Sequence, residues 1–417
     1  MVNKIKFSYL NLNKKPSKDD IVVTFKMKPQ KGFDFMQTAQ ELAAESSVGT
    51  WTEVTTLTKG IFQKLAARII YLNKEESIVK IAYPIQLFEK GNIPQLLSTI
   101  AGNIFSLKKI KTLRLEDVEF SSRYINSFLG PQIGLHGIRK LYNIYRRPII
   151  GCIIKPKVGL SPEKTAKLAY EIFSNGVDLI KDDETLTDMS FCKFEKRVRE
   201  VVKAINSVEK KSKTKKIFVF NVTAPADEMV KRAALVKKLG GRCVMVDIIT
   251  SGFSAVQYLR EQEFGLVIHG HRAGHSAFTR NKDWGISMLV VAKLARLAGI
   301  DELHTGTVVG KMEGTKEEVT SINNFLRSRF GKLKPVLPVA SGGLHPGLVE
   351  KLVKILGKDI VINFGGGLHG HPLGSSAGAR AVYQSIEAAT KGIPLDKYAQ
   401  THQELKLALD YWGYEKK

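Results

Sequence analysis

The chain has 417 residues and is 43% hydrophobic, the composition of a folded globular protein, which excludes an intrinsically disordered chain. Its 64 lysines and arginines against 40 aspartates and glutamates give a formal charge of +24, a balance that first suggests nucleic acid. The basic residues are spread over the whole length, and the one dense run, EKKSKTKK (Glu209 to Lys216), has no interleaved aromatics, so it reads as an exposed connection and no nucleic-acid partner is expected.

In chain order, MVNKIKFSYLNL has no apolar stretch of the signal-peptide kind. DDIVVTFKMKP and SIVKIAYPIQLF read as strands, and GFDFMQTAQELAAES and IPQLLSTIAGNIFSL as helices. Residues 1–135 are therefore expected to form a modest α+β domain. From Arg147 onward one plan repeats. Eight apolar runs (IIGCII, VDLI, IFVFNV, RCVMVDII, GLVIHG, ELHTGTVV, PVLPVA and DIVINF) alternate with polar or glycine-rich breaks and helix-period segments such as SPEKTAKLAYEIFSNG and ISMLVVAKLARLAG. Near-continuous apolar strands between amphipathic helices imply a parallel sheet covered by helices, and eight units fit a closed (β/α)8 TIM barrel. The expected fold class is thus α/β: a barrel over 136–417, preceded by the α+β domain, with IPLDKYAQTHQELKLALDYWGYEKK after Gly392 as a short helical tail. No apolar run approaches the roughly 18–20 residues of a membrane span, so no membrane is expected. Cys152, Cys192 and Cys243 are far apart and odd in number, which points to a reducing cytoplasm and away from a thiol-bound metal.

In such a barrel, chemistry sits where the strands end. The ends here carry Lys155 and Lys157 (KPK), the KDDE cluster Lys181 to Glu184, Asn221, the histidines and Arg272 of HGHRAGH, His304 and Lys311 of HTGTVVGK, Ser341 to Gly343 (SGG), and the glycines of NFGGG. Glycine lets a backbone approach an anion closely, so SGG and GGG at the last two strands suggest a phosphate cradle, with Arg272 or Lys311 holding a second anionic group. The KDDE cluster looks like a hard-cation site. Strand alternation puts Lys181 and Asp183 on one face and Asp182 on the other. Asp183 and Glu184 can supply oxygens to Mg²⁺, but a lysine ammonium has no acceptor and should repel it. Asp182 is left to local hydrogen bonding.

These residues resemble the large chain of ribulose-1,5-bisphosphate carboxylase/oxygenase (RuBisCO). GCIIKPKVGLSP, DLIKDDE, HGHRAGH, LHTGTVVGKMEG, ASGGLHPG and GGGLHGHPLGS match its signatures in order and spacing, and AAESSVGTW and AGNIF match its amino-terminal domain. The resemblance implies that Lys181 reacts with CO₂ to form a carbamate, becoming a third oxygen ligand to Mg²⁺ beside Asp183 and Glu184. It makes Lys155 the base of enolisation, His271 an aid to proton handling, and Lys311 a lid lysine acting on the carboxylated intermediate. Substrate contacts carry over to Lys157, Arg272, His304, Ser341, Gly342, Gly343, Gly365 and Gly366, with Thr50 and Trp51 from the amino-terminal domain. Glu45 and Asn103 match residues that reach a neighbouring subunit's site, which implies a homodimer with shared sites, open to assembly into larger rings.

Departures from the plant pattern are Ile153 where threonine is common, Gly274 and Thr305 in place of methionine and serine, and Met312 after the lid lysine. AFTRN, MEGTKEEV and PVASGGLHPGLVEKL look like the archaeal-type (form III) branch, which implies no small subunit and a link to AMP salvage through ribose 1,5-bisphosphate. The expected reaction is carboxylation of ribulose 1,5-bisphosphate to two 3-phosphoglycerates, with O₂ as a competing substrate. Two alternatives stand beside it: a RuBisCO-like enolase or isomerase of sulfur salvage, which enolises without carboxylating, and a catalytically silent basic protein.

Overall fold

The computed structural model describes residues 7–12, 14–50, 52, 54–310 and 314–414. Thirteen strands are assigned among them. The first four are β1 (Ile21–Pro29), β2 (Arg68–Asn73), β3 (Ile78–Tyr83) and β4 (Ile110–Glu119). Then come β5 (Ile149–Ile153), β6 (Leu179–Lys181), β7 (Ile217–Asn221), β8 (Cys243–Asp247) and β9 (Val267–His271). The last are β10 (Trp284–Ile286), β11 (Glu302–His304), β12 (Leu337–Ser341) and β13 (Val361–Phe364). They fall into two compact units, one formed by residues 1–129, 274–298 and 330–333, the other by 130–273, 299–329 and 334–417.

The first unit is built on a five-stranded sheet in the order β10-β4-β1-β3-β2. Ile21, Val23, Phe25 and Met27 of β1 are fully buried at alternating positions, the period of a strand with a core face. Phe35, Ala39 and Leu42 form the buried face of helix Phe35–Glu45. ISMLVVAKLARLAG forms helix Met288–Ala298, which lies in the chain between barrel strands β9 and β11 and also groups with the first unit. The strand just before it, β10, pairs in parallel with β4, and Ser287 Oγ donates to the Glu116 carbonyl at 2.7 Å. Lys293 Nζ donates to the Val118 carbonyl at 2.9 Å and to Asp117 Oδ1 at 2.5 Å. The cation that interrupts the apolar run is therefore a paired, buried tie to β4.

The second unit is the expected closed barrel, β5-β6-β7-β8-β9-β11-β12-β13, and the eight apolar runs supply its strands. All neighbouring pairs that run along the chain are parallel, and β13 closes on β5 with Val361 opposite Ile149. The residues that open the strands, among them Ile149, Leu179, Ile217, Cys243, Val267, Leu337 and Val361, pack with Leu135, Ile138 and Tyr142 of helix Gly134–Tyr142. This helix plugs the amino-terminal end of the barrel. Asp301 fixes its start by accepting the Ile133 and Gly134 amides at 2.7 and 2.8 Å. One end is thus filled with apolar side chains, and polar residues collect at the other.

No helix among the described residues is long and apolar enough to cross a membrane. Cys152 and Cys192 have no exposed surface and Cys243 has 1%. Burial pushes the Cys152 and Cys243 thiols up, toward the unreactive protonated form. The native chain is therefore expected to show no thiol reactive toward an aromatic disulfide within minutes, and three after denaturation. Prompt reaction of a native thiol would contradict the packing around these strands.

Candidate active site

Strand β6 ends on Lys181, whose side chain has no exposed surface. Its Nζ donates to the Asp182 carbonyl at 2.8 Å and lies 3.8 Å from Glu184 Oε2. Burial lowers the pKa of this ammonium, outweighing the attraction of Glu184, Asp183, Asp247 and Asp182. Asp183 Oδ2 accepts from Lys155 Nζ at 2.8 Å, and Oδ1 from the Thr185 hydroxyl at 2.9 Å. Burial opposes ionisation of both Asp183 and Glu184. The Lys155 and Thr185 bonds overcome it for Asp183, and the charges of Lys181 and His271 overcome it for Glu184, so both are held below the usual carboxylate range. Asp182 points the other way, as strand alternation requires. Its Oδ2 accepts from Arg197 Nε at 3.2 Å and from the Asn221 amide at 3.0 Å. Asn221, at the end of β7, holds the loop after β6 by donating from Nδ2 to the Glu184 carbonyl at 2.9 Å.

Histidines from β9 and β11 face this cluster. His271 Nδ1 is 2.7 Å from Asp247 Oδ1 and its Nε2 is 3.7 Å from Glu184 Oε2. Asp247 closes β8 and fixes which ring nitrogen of His271 faces the cluster. The sequence reading missed this carboxylate, although a polar residue ending an apolar run was the signal at the other strands. His304 Nδ1 is 2.8 Å from Ser341 Oγ, and its Nε2 is 2.8 Å from His269 Nε2. The His271 and His304 rings are 4.7 Å apart at their centroids. Arg272 is 9% exposed, and burial brings its guanidinium pKa down to about 10. It lies over Gly306, where a Cβ would fall 2.7 Å from Nη2.

The two glycine loops meet. Gly342 and Gly343 have φ of 115° and 66°, conformations that disfavour a side chain. A Cβ on Gly367 would overlap the Leu344 carbonyl oxygen and lie 2.8 Å from His345 Cα, so the loop after β13 rests directly on the loop after β12. A Cβ on Gly365 would lie 3.5 Å from Lys155 Cε, whereas one on Gly366 would meet nothing within 4 Å. Gly367→Ala is therefore expected to force the loops apart, costing about 1–3 kcal/mol and weakening the phosphate binding expected of them. Thermal melting and a KM determination check this, and unchanged values in both would contradict the contact. Between these loops and β5, Asn363 is 1% exposed, and neither amide atom has a partner among the described protein atoms. An orphaned amide here asks for a ligand or water, and only its burial reveals it.

The second unit thus brings Lys155, Lys181, Asp183, Glu184, His271, Arg272, His304, Ser341, Gly342, Gly343, Gly365 and Gly366 to one barrel end. Lys157 is more peripheral, an exposed side chain with Nζ 3.9 Å from Glu184 Oε1. Glu45, Thr50 and Asn103 belong to the first unit. Glu45 closes its helix and is half-buried, while Thr50 and Asn103 are exposed. Trp51 and Lys311 lie outside the described residues.

Among the described residues, no three His, Cys, Asp or Glu side chains gather in a metal-holding group. The donor set has two carboxylates held anionic and one desolvated amine between them. It suits a hard dication once Lys181 itself carries a carboxylate, because three anionic oxygens then converge. An amine with a lowered pKa is also the form that can take up CO₂.

Two family models cover nearly the whole chain: the ribulose bisphosphate carboxylase large chain catalytic domain matches residues 134–412, and the N-terminal domain of that large chain matches residues 8–124. The ribulose bisphosphate carboxylase of Pyrococcus abyssi is 46% identical, with 98% of this chain and 97% of that protein covered. That of Methanocaldococcus jannaschii is 44% identical, with 97% and 99% covered. Among solved structures, the octameric Rubisco of Pyrococcus horikoshii, in complex with sulfate ion, superposes with a TM-score of 0.94 at 44% identity over 100% of both chains. The dimeric archaeal Rubisco of Hyperthermus butylicus gives 0.91 at 44% identity, covering 98% of this chain and 99% of that one.

Proposed function

Because the chain belongs to the ribulose bisphosphate carboxylase large-chain family, we propose that it carboxylates ribulose 1,5-bisphosphate and cleaves the product to two 3-phosphoglycerates. The observation that carries this reading is the fully buried Lys181 amine, set beside Asp183 and Glu184 at the end of β6. In this reading Lys181 adds CO₂ to become a carbamate with release of one proton, and the carbamate, Asp183 and Glu184 hold Mg²⁺. The dication, when bound, supplies Lewis-acid polarisation of the sugar's carbonyl.

The remaining work belongs to side chains of this protein. Lys155 removes the proton next to the carbonyl and returns one late in the sequence. His271, oriented by Asp247, accepts and returns hydroxyl protons. The Gly342–Gly343 and Gly365–Gly366 backbones with Ser341, together with Arg272 and His304, contact the phosphates, and Lys157 adds positive charge at the edge. By the family resemblance, Thr50 and Trp51 of the amino-terminal domain are further phosphate contacts. Lys311 supplies a cation to the carboxylated intermediate. Glu45 and Asn103 complete the site of a partner subunit, so the smallest active form is a homodimer, without a small subunit and open to assembly into rings. O₂ competes with CO₂ for the enediolate. The form III sequence features support a role in AMP salvage.

Radiolabelled CO₂, Mg²⁺ and ribulose 1,5-bisphosphate should together yield acid-stable 3-phosphoglycerate. Substrate consumption without acid-stable label would contradict carboxylation and favour an enolase or isomerase.

A further inference from the structure

Behind the rim, four side chains from three strands form one hydrogen-bonded line. Glu302 Oε2 lies 2.7 Å from His269 Nδ1, His269 Nε2 lies 2.8 Å from His304 Nε2, and His304 Nδ1 lies 2.8 Å from Ser341 Oγ. Glu302, His269 and His304 are at most 2% exposed. Burial holds both imidazoles well below their usual pKa, with neighbouring Lys181 and His271 acting in the same direction and Arg272 adding to the effect on His304, so both rings are neutral. A neutral imidazole has one N–H and one acceptor nitrogen. The two rings share a single Nε2···Nε2 bond, so the tautomer of one dictates that of the other.

Only two arrangements satisfy every link. In the first, Glu302 is protonated and donates to His269 Nδ1, His269 Nε2–H donates to His304 Nε2, and His304 Nδ1–H donates to Ser341 Oγ. The Ser341 hydroxyl proton is then free to point out of the chain. In the second, Glu302 Oε2 accepts from His269 Nδ1–H and every bond reverses; Glu302 is then a carboxylate, since a protonated carboxyl accepting there would leave its own buried O–H without an acceptor among the described residues. Ser341 must spend its proton on His304 and shows only lone pairs outward, which would repel a phosphate oxygen.

The adjacent carboxyl decides between them. Asp301 is the better-partnered carboxyl: Oδ2 accepts from Arg260 Nη2 at 2.5 Å and from the Ile268 amide at 2.9 Å, and Oδ1 accepts two further amides. Among the described residues, Glu302 bonds to an imidazole and to no cation, with Tyr142 and Cys243 also near it. Burial and the charge of Asp301 push its carboxyl up to about 8.

We propose that Glu302 is a positioning residue whose carboxyl O–H heads a one-way hydrogen-bond chain through His269 and His304, leaving the Ser341 hydroxyl proton directed at a substrate phosphate oxygen. The last link rests on the phosphate role assigned to Ser341 above; the direction of the chain does not.

Nitrogen-15 NMR of histidine-labelled, substrate-free protein at pH 6.5 tests the direction, with His269→Gln and His304→Gln used for assignment. The expected pattern is a proton on Nε2 of His269 and on Nδ1 of His304. Protons on the opposite nitrogens would overturn the proposal. Glu302→Gln keeps an N–H donor at the head of the chain but cannot ionise. Between pH 7 and 9 the KM of the parent for ribulose 1,5-bisphosphate should rise roughly tenfold more than that of Glu302→Gln, the size expected for one hydrogen bond to a charged group, with the ratio of their kcat values unchanged. The expected tautomers with parallel KM profiles would overturn the phosphate role of Ser341 and with it the last link.

Discussion

Replacing Lys181 with methionine is expected to reduce carboxylation by roughly a thousandfold or more while leaving the fold intact, an effect at least as large as loss of a principal transition-state electrostatic contact. The argument starts from burial. Lys181 has no exposed surface, its burial lowers the ammonium pKa, and its one hydrogen-bond acceptor among the described residues is the Asp182 carbonyl. Removing one member of a buried ion pair is costly when it strands a buried charge. Here the Lys181 contact with Glu184 is long, at 3.8 Å, and Glu184 is 24% exposed with His271 and Lys157 also near it. An apolar side chain of similar length should therefore cost little stability. If the lysine were merely structural, methionine would cost stability and spare turnover. As a CO₂ acceptor and ligand precursor, it should show the reverse: an unchanged melt, lost turnover and lost Mg²⁺ dependence. Full activity in Lys181→Met would refute the assignment.

Arg197→Met is expected to destabilise the protein by about 3–5 kcal/mol, the cost of leaving a buried carboxylate without its cation. Arg197 and Asp182 both have no exposed surface. Arg197 also donates to the Thr187 carbonyl at 2.8 Å and the Cys192 carbonyl at 3.1 Å, so it ties the loop after β6 to helix Phe194–Ser212. Asp182 Oδ1 has no partner among the described residues, so loss of Arg197 leaves only the Asn221 amide on the carboxylate. The double variant Arg197→Met/Asp182→Asn should recover a good part of the loss, because it removes the stranded charge. Denaturant unfolding measures both. A single-variant loss below about 1 kcal/mol, or a double variant no better than the single, would show that the pair does not hold this loop.

How much of this could be read from the sequence depends on where each partner lies. Barrel strands are buried on both faces, so IFVFN and CVMVD appear as unbroken apolar runs and their polar ends stand out. The strand-end residues of the site were visible for that reason. The sheet of the first unit was less legible. β10 is three residues long and pairs with β4, whose residues 113–115 precede it by about 170 positions, and no local pattern announces such a partner. The same holds for Asp247 with His271 and for Glu302 with His269. Each carboxyl group looks ordinary in its own strand, and its meaning lies in the neighbouring strand, 24 and 33 residues away respectively. Lys181 was visible as a residue, but its complete burial, which makes the amine available to CO₂, became apparent only when the barrel closed around it.

The most direct measurement is carbon-13 NMR of the full-length protein equilibrated with ¹³C-bicarbonate and Mg²⁺. The account predicts a carbamate resonance in the parent that is absent from Lys181→Met and grows with Mg²⁺ concentration. No carbamate signal in the parent, or an identical signal in Lys181→Met, would contradict the claim that this buried lysine becomes the third oxygen ligand.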